Sequence, residues 1–290
     1  MKKIFYILAA LLMALSCSKT HSVMPRMNEL VLVPFYPGAT KASAAGFEDG
    51  DKLGIYITRY KGDTPSPLQI GGNWGSNLTL TRTGSGWSLN PKVYWEEDTK
   101  FDIYGYYPKM EVSSVDAHPF RVADDQSVTG GVEGMSAYEA SDFLWVKVKG
   151  ATRSASVPMA FQHKMCKVEV SLVKGQDYEG DLPDDAQVYV HNTVTDALVD
   201  LATGDVVKDN HKPATSIRAR KVSASKFEAI VVPQRLSNRV PLIEVVCGQA
   251  SYLFESTVVF KSGTVHTVTI TLSDNPEKVA IDIGGQIVNW

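Results

Sequence analysis

The chain has 290 residues, 44% of them hydrophobic and 21% charged, and its 29 Lys+Arg against 32 Asp+Glu leave a formal net charge of −3. That balance excludes an intrinsically disordered or collagen-like chain. At about 100–200 residues per domain it predicts two domains, each able to bury a core without metal or disulfide staples. With no dense run of Lys or Arg, the electrostatic footprint of sequence-independent nucleic-acid binding is missing, and no nucleic-acid partner is expected.

Lys2 and Lys3 form a positive n-region, and Ile4 to Leu15 is an apolar run shorter than the about 20 residues a membrane-spanning helix needs, the pattern of a secretory signal peptide. The run ends in Ala14-Leu15-Ser16-Cys17, which resembles a bacterial lipobox whose cysteine is acylated and becomes the new N-terminus. Residues 1–16 are therefore expected to be removed and Cys17 to carry the lipid. Lys2 and Lys3 leave with the signal peptide, so the remaining 274 residues carry a net charge of −5. Acyl chains at about 0.8 kcal/mol per buried CH₂ are then the expected membrane attachment.

Residues 17–46 read as a lipidated tether and first strand. Ser18 to Arg26 is polar, and Leu30-Val31-Leu32-Val33-Pro34-Phe35 is apolar on both faces, as a strand covered on both sides is. Pro37 to Gly46 is small, flexible and carries Lys41, a segment open to proteolysis.

From about residue 27 onward the apolar pattern has period two in short runs broken by Gly, Pro, Asn and Asp, a strand signal. Strands are predicted at 30–35, 52–58, 77–83, 101–107, 143–149, 167–173, 187–190, 227–232, 242–247, 256–260 and 264–272, with helix tolerated only in short segments such as 136–140. This argues for antiparallel β-sandwiches. The polar stretch 149–156 divides the chain into an N-terminal sandwich, 47–155, and a C-terminal sandwich, 156–290. Irregular loops at 123–134 and 173–185 are places where partner contacts concentrate.

Catalysis needs a convergent set of groups. The histidines at 21, 118, 163, 191, 211 and 266 do not share a strand or helix face, and His163 reads as structural at a strand start. Asp124-Asp125, Asp184-Asp185 and Glu96-Glu97-Asp98 are adjacent pairs that point to opposite faces of a strand, or solvated turns without a DxDxDG calcium pattern. GxSxG, P-loop and GxGxxG motifs are absent, so no enzyme activity, metal or cofactor is expected. Cys166 and Cys247 each fall on an apolar face and read as separate buried thiols, although an oxidising compartment permits a disulfide between them. Trp74, Trp87, Trp95, Phe101, Tyr104, Tyr106 and Tyr107 are either an aromatic platform for sugar rings or the packing of a sandwich interior.

Six segments taken in order resemble the fimbrillin (Mfa-like) family of type V pilus subunits and surface adhesins. They are Phe47-Glu48-Asp49-Gly50-Asp51-Lys52-Leu53-Gly54-Ile55-Tyr56; Tyr104-Gly105-Tyr106-Tyr107-Pro108; Ser141-Asp142-Phe143-Leu144; Phe161-Gln162-His163-Lys164-Met165-Cys166-Lys167-Val168; Phe227 to Gln234; and Phe260 to Gly263 leading into Val268 to Leu272. The resemblance implies two tandem transthyretin-like sandwich domains, a fimbrial lipoprotein precursor at the outer-membrane surface, and other pilin subunits as partners. It also implies that a trypsin-like protease removes the first strand and that another subunit's strand refills the groove. The removable strand would be Leu30, Val31, Leu32, Val33 and Phe35, whose loss would cost on the order of 10 kcal/mol. The family commonly has Thr-Arg-Ala in the loop after this strand, where Thr40-Lys41-Ala42 stands here; the cleavage candidates are Lys41 and, before the strand, Arg26. Val279, Ile281 and Ile283 alternate ahead of Gly284-Gly285, Ile287 and Trp290, and these last twelve positions reach about 40 Å when extended. They are either a donor strand or the last strand of the chain's own sandwich. The second functional reading is a lipid-anchored adhesin that binds surface glycans or proteins.

Overall fold

The computed structural model describes residues 28–36, 46–84, 86–131, 134–248, 250–275, 279–283 and 288–289. The expected signal peptide and the sites at Cys17, Arg26, Lys41, Ile287 and Trp290 lie outside them. The first half comprises β1 (Leu32–Phe35), β2 (Lys52–Lys61), β3 (Thr64–Pro65), β4 (Gly75–Thr83), β5 (Gly86–Asn90), β6 (Phe101–Tyr107), β7 (His118–Arg121), helix α1 (Ala137–Ala140), β8 (Leu144–Ala151), β9 (Val157–Ala160) and β10 (Gln162–His163). The second comprises β11 (Cys166–Lys174), β12 (Gln187–Thr193), β13 (Asp196–Val199), β14 (Val206–Lys208), β15 (Thr215–Arg218), β16 (Arg220–Ser223), β17 (Lys226–Val231), β18 (Gln234–Cys247), β19 (Ala250–Phe260), β20 (Thr264–Leu272), β21 (Ala280–Ile283) and β22 (Val288–Asn289). The short helix is held by a capping box, in which Ser136 Oγ accepts from the Glu139 amide and the Glu139 carboxylate accepts from the Ser136 amide.

A seven-stranded sheet, ordered β10-β8-β6-β2-β4-β5 with β3 on β2, organises the first half. Its central strands are apolar on both faces, and β6 is buried at every position. Leu53, Ile55, Ile57, Phe101 and Ile103 form one core together with Leu30, Leu32, Val157, Met159 and Phe161, while Tyr56, Tyr104 and Tyr106 join the core of the second half. Two motif glycines permit this packing. A Cβ on Gly54 would meet the Tyr106 ring at 2.1 Å, and one on Gly105 would meet Met159, Phe161 and Val146 at 2.7–2.9 Å.

In the second half a six-stranded sheet, β16-β17-β11-β20-β21 with β22 also on β20, and a four-stranded sheet, β15-β12-β18-β19, share a core that includes Val168, Val170, Phe227, Val188, Val190, Ile243 and Val245. The expectation of wholly antiparallel sheets is corrected here. β11 and β20 are parallel over nine residues and β1 and β9 over four, because each pair is joined by a crossover and not by a hairpin.

The changeover expected near 155/156 comes several residues later, between β10 and β11, and the two packing units are not cleanly divided there. β8 runs through to Ala151, β9 pairs with β1, and β10 pairs with β8, so strands of the first half continue to His163. Conversely, β7 pairs with β13 of the second half. The buried Gln126 side chain bridges the halves, its Nε2 donating to Ile230 O and its Oε1 accepting from Ile230 N, each at 2.7 Å. A polar, turn-rich stretch marks where a sheet is left by the chain; it does not mark which residues share a core.

Replacing Gln126 by Ala leaves both backbone groups of Ile230 without these partners and is expected to cost about 2–4 kcal/mol in urea unfolding. Gly105→Ala is expected to cost about 1–3 kcal/mol by overpacking, and to loosen β9 ahead of the rest of the sheet in amide exchange.

Candidate functional site: the first strand and its groove

The first strand is a short cover on the open face of the N-terminal core. Leu32 to Phe35 pair in parallel with Val157 to Ala160, with Val157 N donating to Val31 O at 2.8 Å and Phe161 N to Phe35 O at 2.9 Å. At its start the backbone turns to a different neighbour, with Leu30 N donating to Val93 O at 2.9 Å and Trp95 N to Asn28 O at 2.6 Å. Lys92 and Glu29 pair at 2.9 Å beside this contact.

The strand is covered on one side only, which corrects the expectation drawn from its uninterrupted apolar sequence. Leu30, Leu32 and Pro34 are buried, whereas Val31, Val33 and Phe35 are 41%, 40% and 42% exposed. Alternation is imposed by the pleat, so an all-apolar strand lying over a single core must present half of its side chains outward. Burial of Leu30 and Leu32 is worth about 3–6 kcal/mol, less than the figure expected for a strand buried on both faces.

Tyr36 follows the strand and secures its end. Its ring stacks on Phe47 at 4.7 Å and on His163 at 5.5 Å, and His163 Nδ1 lies 2.8 Å from Asp142 Oδ2. Burial, reinforced by Asp142 and Asp51, pushes the Tyr36 phenol well above its usual range, so it stays neutral. A cavity of about 590 Å³ adjoins it, with Tyr36, Tyr107, Tyr138, Asp142, His163 and Arg220 among its lining. This stack and the partner strand β9 were not anticipated. The alternation of Val157, Met159 and Phe161 was the available signal for β9.

At the other end of the chain, Ala280 to Ile283 pair antiparallel with Thr271 to Val268 of β20, and Val288 and Asn289 pair with Val265 and Thr264. Val279, Ile281 and Ile283 are half-buried against the second core. Of the two alternatives for this segment, the single chain adopts the last strand of its own sheet.

The aromatic platform is largely dismantled by burial. Trp95, Phe101, Tyr104, Tyr106 and Tyr107 are buried, and Trp87 is partly buried under Arg82. Trp74 is exposed, with its ring against Phe101 and the Arg59 guanidinium 4.6 Å from its centroid. The polar clusters tie strands together. His191 links three strands, with Nδ1 2.7 Å from Ser216 Oγ and Nε2 2.9 Å from Glu244 Oε2. Hydrogen bonds from Ser251 and His191 hold the Glu244 carboxyl below its ordinary range. Among the described residues no group of three or more His, Cys, Asp or Glu has metal-holding geometry.

Cys166 and Cys247 are both free; Cys166 is fully buried, and Cys247 is only half-buried, contrary to expectation. Burial pushes the Cys166 thiol up to about 12, which suppresses the thiolate that disulfide exchange requires.

The fold recurs in solved structures. A candidate cell adhesion protein from Bacteroides uniformis ATCC 8492 matches with a TM-score of 0.66 at 20% identity, over 92% of this chain and 99% of that one. A candidate cell adhesion protein from Bacteroides ovatus ATCC 8483 matches with a TM-score of 0.69 at 16% identity, over 90% and 96%. A fimbrial protein from Bacteroides vulgatus ATCC 8482 matches with a TM-score of 0.50 at 12% identity, over 91% and 99%. No curated protein matches the chain. The sequence profile of the fimbrillin-like family matches residues 40–290, which take in the paired motif glycines, the Tyr104 to Pro108 strand end and the whole second core. The protein belongs to the fimbrillin-like family.

Proposed function

We propose that the protein is a structural pilus subunit, made as a lipoprotein precursor and assembled by donor-strand exchange after proteolysis. Family membership places it among structural, non-catalytic pilus and adhesion proteins. The observation that carries the finer reading is the first strand. It closes the N-terminal core with Leu30, Leu32 and Pro34 through a four-residue parallel ladder to β9, and it precedes the rest of the N-terminal half in the chain, with Lys41 between them. In this reading Cys17 bears the lipid at the outer membrane, the two halves, meeting between β10 and β11, are the transthyretin-like sandwich units, and cleavage after Lys41 releases Leu30 to Phe35.

Release of the strand leaves Val157, Met159, Phe161 and Trp95 lining an apolar groove, together with an unpaired edge of β9. Such a groove is stable only when refilled, and an extended strand refills both its pockets and its ladder. Val279, Ile281 and Ile283 supply the alternating apolar row, and their four-residue ladder to β20 is what they exchange for the groove of a neighbouring copy. Cleavage after Arg26 would instead free the lipid and keep the strand, giving a subunit that terminates a polymer. The glycan-binding alternative has lost its main support, since Tyr107 and its neighbours face the core.

Protein cut at Lys41 is expected to form SDS-resistant ladders on incubation, while uncut protein stays monomeric on the same gel; a cut protein that retains its excised strand as a stable monomer would sink the exchange mechanism. Leu32→Ala is expected to lower stability by about 2–4 kcal/mol in denaturant unfolding and to speed ladder formation, because the strand it weakens is the one that must leave.

A further inference from the structure

Sheet edges in this protein are short almost everywhere. β5, β7, β10, β14, β15, β16 and β21 each have five residues or fewer, and β16 adds Arg220 and Lys221. Short or basic edges are the usual protection against unwanted pairing. β19 is the exception among the described residues. It runs for eleven residues at the edge of the four-stranded sheet, with β18 on one side and no strand on the other. Its sequence, Ala250 to Phe260, contains no Pro, Gly, Lys or Arg and a single charge, Glu255. Leu253 is 52% exposed and Val259 38%.

Water satisfies the N–H and C=O groups of such an edge, and another extended polypeptide can replace that water with a continuous ladder. The charges identify which one. Glu255 stands on the exposed row, and Lys261, also exposed, follows one residue after the strand ends. If two copies of β19 run antiparallel about Val258, Glu255 of each lies opposite Lys261 of the other, and Thr257 lies opposite Val259. No like charges meet in this register, whereas pairing centred on Glu255 would set two carboxylates face to face. Within one chain Glu255 has only a loose, exposed contact with Arg239 at 3.5 Å.

We propose that β19 is a lateral self-association edge, through which two copies of the chain join their four-stranded sheets into one continuous sheet across a two-fold axis. The paired segment is about 23 Å long at about 3.3 Å per residue, and it buries less than the roughly 1,200 Å² typical of stable complexes. A single contact is therefore weak, and it gains strength where copies are repeated along neighbouring polymers. The proposal draws on the subunit reading only for that supply of copies. It needs no cleavage and uses neither β1 nor β21.

The test is sedimentation equilibrium of the uncut full chain carrying Cys17→Ser, which removes lipid clustering as a source of association, at concentrations up to about 1 mM. The expected result is a reversible dimer, weakened at least about tenfold by Glu255→Lys alone or Lys261→Glu alone, and recovered in an equimolar mixture of the two variants. Alternate amides within residues 255–261 should exchange more slowly in the dimer. A chain that is monomeric throughout, single variants that associate like the parent, or a mixture that does not recover would overturn the proposal. Because the chain is uncut, failure here leaves strand exchange standing, and failure of the Lys41 ladder leaves this pairing standing.

Discussion

Two strands at the centre of the N-terminal sheet, β2 and β6, are apolar or aromatic on both faces, and a sheet of that kind needs two covers. One face receives Leu30, Leu32, Val157, Met159 and Phe161 from the β1–β9 pair; the other receives Phe120, Phe143 and the second core. The rest of the architecture follows from this constraint. The halves cannot be independent globules, because Tyr104 and Tyr106 belong to the second core while their chain neighbours Ile103 and Tyr107 belong to the first.

The two covers are unequal. The second half is a sandwich with its own paired sheets, whereas β1–β9 is a two-stranded parallel pair. Half of β1 faces water through Val31, Val33 and Phe35, and it is secured at its end by the Tyr36 stack on Phe47 and His163. It is a small cover on a core that needs one, and it is the strand that the proposed exchange would replace. Its proposed removal would uncover Val157, Met159 and Phe161, and a replacement strand would restore the same ladder.

Edges are managed by the same economy of length. The parallel β11–β20 pairing places the longest strands of the six-stranded sheet inside it, and the strands at its rims are short. The long β18–β19 hairpin leaves one edge of comparable length open to solvent, on the sheet face that also carries the His191, Ser216 and Glu244 links.

Read alone, the residues decided the class of structure: period-two runs yield strands, and the expected ends coincide with the structure in Phe101–Tyr107 and Thr264–Leu272. β18 begins at Gln234, well before the Leu242 expected, because Pro241 sits at a register irregularity and interrupts the pattern without ending the strand. Local sequence also sufficed for the family motifs, although the reason for Gly54 and Gly105, room for Tyr106 on one face and for Met159 and Phe161 on the other, is visible only in three dimensions. Which face of Leu30 to Phe35 is covered, that β9 is its partner, that Tyr107 points inward and that the C-terminal strand lies on β20 were decided by tertiary structure. Periodicity reports how a strand alternates, while burial depends on what packs against each face, and that partner comes from residues distant in the chain.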